Sequence, residues 1–322
     1  MTRTGAVASC LWWLALSTCA GAAPARAAAL QSAPAPAPSQ LTVVEEEPIT
    51  PIPQPPTADP LKLALGERLF GDVRLSADGN LACASCHDIG RNGAGGKAAI
   101  VGSKPSFDTL TVFNAALSFR LGWQGKFRSL AEHVEASLEN PANMNTNAEA
   151  AVRRLQNDPD MTSQFRAAYG RAPDRDAFLD ALSTFERSLL TPGARFDRWL
   201  DGDASALTPA ELEGYRTFKS LGCSACHQGI NIGGNLFERQ GVFRPLVSGS
   251  PRIVRVPSLR NVATTAPYFH DGSAATLEDA VRRMAAAQLD RTLSDQQVAS
   301  LVLFLRTLTG TYRGSPTVGA AP

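Results

Sequence analysis

The chain has 322 residues, of which 44% are hydrophobic and 19% are charged, a composition typical of a globular protein. Its length predicts about two domains. The 31 basic and 30 acidic side chains leave a formal net charge of +1, which excludes partners such as nucleic acid that would be bound through bulk charge.

The N-terminus has the features of an export signal. Arg3 precedes an uncharged, mostly apolar run over residues 7–23, and small residues flank Arg26 as in a cleavage site. We therefore predict a signal peptide over residues 1–27. A retained membrane anchor is less favoured because the run is short for a bilayer span, and lipidation at Cys19 is a third, also less favoured, alternative.

Two Cys-x-x-Cys-His motifs consume every cysteine outside the export signal, which contains the remaining two of the six. Exported proteins commonly use cysteines in disulfides, but two such bridges would not explain a histidine directly after each pair. The pattern is the attachment signature of haem c, in which two thioethers hold the porphyrin and the histidine binds iron. The predicted cofactors are therefore two covalently bound haem c groups, held by Cys83, Cys86, His87, Cys223, Cys226 and His227.

Each motif follows an amphipathic segment of similar sequence, Gly66–Phe70 before the first and Gly214–Phe218 before the second, which indicates a diverged internal repeat. Helical spacing of apolar residues recurs along the chain and strand signals are scarce. The predicted fold is mainly α, with two cytochrome c-like haem domains, long loops and little β structure. The predicted boundaries are a signal peptide over 1–27, a Pro/Ala-rich linker over 28–58, haem domains over 59–200 and 201–311, and a disordered tail over 312–322.

Few side chains are available as further iron ligands. No histidine or methionine lies between His87 and His133, and Lys97 and Lys104 are loop lysines of the kind usually solvated. The first haem is therefore predicted to have an open face that can bind a small molecule. For the second haem the candidates are His270 and Met284; a His/Met pair would suit an electron relay, although Met284 could also be an ordinary core residue.

The whole pattern resembles the bacterial dihaem cytochrome c peroxidases, a family that includes the methylamine-utilisation dihaem oxidases. The resemblance covers about residues 58–310. Beyond the haem motifs, it rests on the segments Thr111–Ala115, Asn140–Met144, Val256–Asn261, Thr265–Gly272 and Thr276–Val281.

The resemblance assigns roles to particular residues. It implies that the first haem is the peroxidatic centre and that the second is the electron-transfer haem, with Met284 as its axial ligand. Trp123 corresponds to the tryptophan between the haems that helps electrons cross, although it could equally be a core aromatic residue. An interdomain calcium ion is a further implication, at positions corresponding to Asp108, Thr265 and Pro267.

The chain departs from the family pattern at two places. The histidine that blocks the resting first haem in many members has no counterpart, and Ile100 lies near its position. His133 and Asn143 replace the usual glutamine and glutamate of the distal pocket. Peroxide cleavage needs a group that takes and returns a proton, which histidine can do and an amide cannot. We therefore predict that His133 acts as acid and base while Asn143 orients peroxide; the alternative is a surface histidine.

The resemblance implies a periplasmic peroxidase that reduces hydrogen peroxide with electrons from a cytochrome c or cupredoxin. Two alternatives stay open: an oxidase acting on a protein or organic substrate, and a non-catalytic electron-transfer protein. Because the oxidase branch carries tyrosine in place of the axial methionine, Met284 disfavours the first of these. A homodimer stays open as a further partner.

Overall fold

The computed structural model describes residues 47–95, 107–247 and 251–319. The predicted signal peptide, with Cys19, and the loop positions Lys97, Ile100 and Lys104 lie outside these ranges. Among the described residues, no helix combines the length and apolar character needed to cross a bilayer.

The structure is mainly helical, which confirms the predicted fold class. The helices are α1 Pro60–Phe70, α2 Cys83–Cys86, α3 Leu130–Glu139, α4 Ala148–Gln156, α5 Pro159–Tyr169, α6 Arg175–Ser188, α7 Arg195–Leu200, α8 Pro209–Ser220, α9 Leu277–Leu289 and α10 Asp295–Arg306. The strands form two short antiparallel pairs: β1 Phe237–Arg239 with β2 Ile253–Arg255, and β3 Thr311–Tyr312 with β4 Ser315–Pro316.

Two separate apolar cores correspond to the two haem motifs. The first is built from α1, α3, α4, α5 and α6, and the second mainly from α8, α9 and α10. Local signals start these helices: Thr208 and Ser294 form capping boxes with Glu211 and Gln297, which satisfies backbone N–H groups at the helix start. Burial of one apolar face on each helix then drives the packing.

The repeated glycines explain why the two halves share a sequence pattern. A Cβ added at Gly66 would lie 2.1 Å from the carbonyl oxygen of Ala181 on α6, and one at Gly214 would lie 2.1 Å from that of Ser300 on α10. In each half, therefore, the helix before the haem motif approaches its partner helix so closely that no side chain fits. The shared contact supports a duplicated packing unit.

Two buried asparagines connect the halves in a related way. Asn114 and Asn261 both have left-handed backbone conformations, with φ of 60° and 59°. The side-chain amide of each donates to the Oγ1 of Thr191, at 2.8 and 2.9 Å. Asparagine tolerates this conformation better than most residues. The same residue type therefore occupies the equivalent turn in both halves, and both side chains bond to one threonine hydroxyl.

We expect Gly66→Ala to lower the free energy of unfolding by about 1–3 kcal/mol, the usual range for an overpacked core. The added methyl group must displace the α6 backbone or the Phe185 side chain, whose Cβ would lie 2.7 Å away. Chemical denaturation followed by circular dichroism measures the change. Gly71→Ala is the matched control, since its nearest neighbour would be 3.8 Å away; equal stability of the two variants would contradict the packing argument.

The predicted linker over 28–58 needs correction at its C-terminal end. Ile49 and Ile52 are buried, and Ile49 belongs to the second core. The backbone of Pro48 accepts a hydrogen bond from Gly229, directly after the second haem motif, and Glu47 bonds to Lys219. We call residues 47–52 the N-terminal strap. Isoleucines within a proline-rich segment provide the apolar surface that makes it pack.

Two further boundaries differ from the prediction. Helix α7, placed in the first domain by the 59–200 boundary, contributes Phe196 to the second core, so the cores divide between Leu189 and Phe196. The predicted tail over 312–322 is wrong for residues up to 319: Tyr312 packs on the first core, and Thr317 is buried against Asn261. These residues are ordered by contacts with residues that are distant in the sequence.

Candidate dihaem active site

A single cavity of about 1120 Å³ joins the two haem motifs. The sequence-predicted site residues all line it: Cys83, Cys86, His87, Asp108, Trp123, His133, Asn143, Cys223, Cys226, His227, Thr265, Pro267 and Met284. Its walls are mostly apolar side chains, as expected of a cofactor site. The structure thus brings both predicted haem sites and the predicted distal residues into one connected space.

The first motif lies on the one-turn helix α2 and the loop after it. Cys83 and Cys86 are free thiols and are not paired in a disulfide. The Nδ1 of His87 lies 3.1 Å from the carbonyl oxygen of Gly93, so this nitrogen carries the proton and donates to the carbonyl. Burial lowers the pKa of His87. The imidazole is therefore held neutral, with Nε2 available to a metal.

The second motif repeats this arrangement. Cys223 and Cys226 are free thiols, and the Nδ1 of His227 lies 3.2 Å from the carbonyl oxygen of Ile232. Burial lowers the pKa of His227 to about 4. In both halves a backbone carbonyl five or six residues downstream fixes the tautomer of the motif histidine.

These features fit haem c. Each motif offers two unpaired thiols for thioether bonds and one neutral imidazole whose free nitrogen can bind iron, and the shared cavity has room beside both. Met284, on α9, lines the cavity together with His227 and supplies the only methionine of that helix. Its thioether could bind the iron of the second haem together with His227.

Trp123 lies at the centre of a small network of contacts. Its indole Nε1 donates to the carbonyl oxygen of Asp108 at 2.9 Å, and its ring lies 6.2 Å from the ring of His270. The backbone N–H of Asp108 donates to the carbonyl oxygen of His270 at 2.7 Å. Trp123, Asp108 and His270 therefore hold one another in place at the cavity wall.

The predicted calcium residues are close to this network. Asp108 is joined to the loop that contains Thr265 and Pro267 through its hydrogen bond to His270. Within the described ranges, no cluster of three or more carboxylate, histidine or cysteine side chains could hold a metal. Any ion bound there would depend on carbonyl oxygens and water, which Ca²⁺ accepts.

His133 and Asn143 both line the cavity, on α3 and in the turn after it. The His133 ring packs 5.2 Å from the Phe127 ring. Burial is the largest cause that lowers its pKa to about 4, and the positive charge of Arg255 acts in the same direction. His133 is therefore a half-buried, neutral imidazole on the side of the first motif, and this position does not match the alternative of a surface histidine.

Glu186 is a cavity residue that sequence reasoning missed. It lies on α6 between the buried side chains of Phe185 and Leu189 and lines the cavity near Cys83. Burial raises its pKa to about 8, against only a partial opposing effect of Arg187. A glutamate next to an arginine in an amphipathic helix gives no sequence signal that it faces inward.

Glu186→Gln should reduce the loss of stability that the wild-type protein shows as pH rises. Because the folded-state pKa is raised, the unfolded chain loses this proton first, so stability falls as pH rises from about 4.5 to about 8. Each pKa unit is worth about 1.4 kcal/mol. Denaturation of the holoprotein at pH 5 and pH 8.5 tests this: the wild type should lose more stability between the two than Glu186→Gln, and parallel losses would contradict the assignment.

Arg255 was also missed. It is the last residue of β2, pairs with Phe237 of β1, is 7% exposed, and lines the cavity. Its backbone N–H donates to the carbonyl oxygen of Trp123 at 2.8 Å, and its Nε donates to that of Gly122 at 3.2 Å. Its position directly before the segment Val256–Asn261, on which the resemblance rests, was the one available signal.

Known proteins match this architecture along most of the chain. The sequence profile of the di-haem cytochrome c peroxidases matches residues 60–205, and that of cytochrome c matches residues 212–309. Cytochrome c551 peroxidase of Nitrosomonas europaea is 37% identical over 82% of this chain and 84% of its own length. Methylamine utilization protein MauG of Methylorubrum extorquens is 32% identical over 91% of this chain and 90% of its own.

Among solved structures, a MauG-like protein associated with microbial copper homeostasis superposes with a TM-score of 0.70 at 27% identity. The match covers 80% of this chain and 93% of that one. The paired haem motifs, the shared cavity and these relatives lead to one conclusion. The chain is a member of the di-haem cytochrome c peroxidase family, which includes the MauG proteins, and is an oxidoreductase with two haem c groups.

Proposed function

We propose that this protein reduces hydrogen peroxide to water, using two electrons from a small redox protein and two protons. The observation that carries the proposal is the single cavity that joins both haem motifs, Trp123 and His133. Bound haem supplies electron transfer and peroxide activation. The side chains around it orient the oxidant, hold the proton and limit access of water.

His133 is the proposed acid–base group. Its imidazole is neutral above a pKa of about 4, so it can accept a proton from peroxide and return it to the leaving oxygen. Asn143, whose amide can donate and accept hydrogen bonds, would orient peroxide or water. The pair would thereby replace the glutamine and glutamate that the family resemblance leads one to expect.

Trp123 and Met284 are proposed to serve electron transfer. The contacts of Trp123 with Asp108 and His270 keep its ring fixed at the cavity wall, which favours electron passage through a rigid aromatic group. Met284 as an axial ligand would raise the potential of the second site relative to the first. The electron donor would then reduce the second site, and Trp123 would help electrons reach the first.

The resting first site is proposed to be open. The loop histidine of other family members has no counterpart in the sequence, and Ile100, near its position, has a side chain that cannot bind iron. Electron paramagnetic resonance of the isolated oxidised protein tests this. A high-spin signal from the first haem is expected, and a fully low-spin spectrum would contradict it.

We also propose a periplasmic location, a type of electron donor and a bound calcium ion. An export signal in the sequence supports a periplasmic protein, whose donor would be a cytochrome c or cupredoxin. The arrangement of Asp108 beside the loop of Thr265 and Pro267 supports one calcium ion, held mainly through carbonyl oxygens. Loss of bound calcium on chelation, measured by elemental analysis, tests that site.

Peroxide added to the holoprotein with excess reduced cytochrome c tests the function. Rapid oxidation of the cytochrome, with two equivalents consumed for each peroxide, is expected. A long-lived absorbance change without donor oxidation would instead favour an oxidase acting on another substrate. No response of either kind would favour a non-catalytic electron carrier.

A further inference from the structure

Arg255 is a buried cation without a carboxylate partner in the described part of the chain. Its side chain is 7% exposed, and within residues 47–95, 107–247 and 251–319 no acidic oxygen lies within ion-pairing distance of its guanidinium. The nearby Arg260 differs, because it is paired with Asp197 at 2.5 Å. Burying an arginine without an opposing charge costs several kcal/mol, and burial alone lowers the pKa of Arg255.

The backbone carbonyl of Gly122 satisfies only the Nε of this guanidinium. The two terminal nitrogens, which can grip a carboxylate in a bidentate manner, have no hydrogen-bond acceptor in the described ranges. Since Arg255 lines the cavity that both haem motifs share, an anion placed in the cavity is within reach of the side chain.

His270 presents a second unsatisfied donor in the same region. It is 5% exposed, and its buried Nδ1 has no partner among the described residues. Both residues contact Trp123: Arg255 through a 2.8 Å hydrogen bond to its carbonyl oxygen, and His270 through rings 6.2 Å apart. A buried polar atom without a partner is uncommon, and this one contacts the same tryptophan as the unpaired guanidinium of Arg255, which indicates a missing common ligand.

We propose that Arg255 and His270 form a cradle for a haem propionate beside Trp123. The guanidinium and the imidazole N–H would donate to the carboxylate, which would neutralise the buried cation and help to position the haem. Both residues act as positioning residues. The inference depends on haem attachment and is independent of whether the protein turns over peroxide.

Redox titration of the holoprotein, followed by its haem absorbance bands, tests the cradle. Loss of a positive charge near the propionate makes reduction less favourable, so Arg255→Gln should lower the midpoint potential of one haem. We expect a change of about tenfold in its oxidation equilibrium, which is about 59 mV for one electron. Arg255→Lys, which keeps the charge, should shift it less, and His270→Ala should shift the potential of the same haem.

Arg252→Gln is the matched control. Arg252 lies directly before β2 in the same hairpin but is exposed and does not line the cavity, so the identical change of charge should leave both potentials unchanged. Haem content per chain, measured as the pyridine complex, shows whether each variant is loaded. If fully loaded Arg255→Gln has both midpoint potentials of the wild type, the cradle does not exist, whatever the result of the peroxide assay.

Discussion

His133→Ala should lower the rate of peroxide turnover by about 10²- to 10⁴-fold, the usual contribution of a positioned acid–base group. The neighbouring Asn143 cannot take over, because an amide does not titrate near neutral pH. Stopped-flow oxidation of reduced cytochrome c by peroxide measures the effect. Haem content and both midpoint potentials should stay unchanged, which separates lost proton transfer from lost folding.

The pH dependence provides a second readout for His133. Its pKa is lowered to about 4, so the imidazole is neutral and able to accept a proton at any pH well above that value. The wild-type rate should therefore fall only as pH approaches about 4 from above, with no step near 6.5. In His133→Ala this acid limb should disappear, because the titrating group is gone.

The family pair offers a rescue experiment. His133→Gln alone should be impaired like His133→Ala, whereas His133→Gln combined with Asn143→Glu restores a carboxylate acid–base group and should recover much of the rate. Glu139→Ala, at the exposed end of the same helix, is the control and should retain full activity. Unimpaired turnover by His133→Ala would show that another group moves the proton.

The helices were predictable where local signals agree with periodicity. Helices α8 and α10 begin at capping boxes and carry continuous apolar faces, so their limits follow from the sequence within a few residues. Helix α5 gives a weaker sequence signal, because Met161 and Phe165 are its only buried residues and two apolar positions make a weak pattern. Residues 312–319 were missed because their order depends on contacts with distant partners such as Asn261.

The site residues also fall into those that the sequence predicts and those that it does not. The haem residues were predictable because attachment requires two cysteines and a histidine at fixed local spacing. Arg255 and Glu186 carry no such pattern, since a charged residue is conspicuous only once it is known to be buried. Their burial arises from the packing of segments far apart in the chain, which a single sequence does not display.

The ion pair of Asp197 and Arg260 stabilises the second half and carries the other large expected effect. Both side chains are 2% exposed, and the guanidinium also donates to the carbonyl oxygen of Thr50 at 2.7 Å. Burial raises the pKa of Asp197 in spite of the opposing charge of Arg260. Desolvation therefore offsets much of the attraction within the pair. Each partner matters mainly because it neutralises the buried charge of the other.

Asp197→Ala should accordingly lower the free energy of unfolding by about 3–5 kcal/mol, because it leaves the Arg260 charge buried without a partner. It should also release the N-terminal strap, which bonds to Arg260 and whose Ile52 N–H donates to Asp197. Chemical denaturation and limited proteolysis near residue 50 measure the two effects. Asp203→Ala, which disrupts the exposed pair with Arg198, should lower the free energy of unfolding far less, because water screens the charges of an exposed pair.

A double variant decides whether the charge itself is the cause. Asp197→Leu with Arg260→Met removes both charges while keeping apolar volume, so it should be more stable than Asp197→Ala even though it changes more atoms. If the double variant is instead the less stable of the two, the hydrogen bonds of Arg260 to Thr50 and Ile230 hold this region together. The strap would then be secured by the arginine as a donor of hydrogen bonds, and the compensation of buried charge would be secondary.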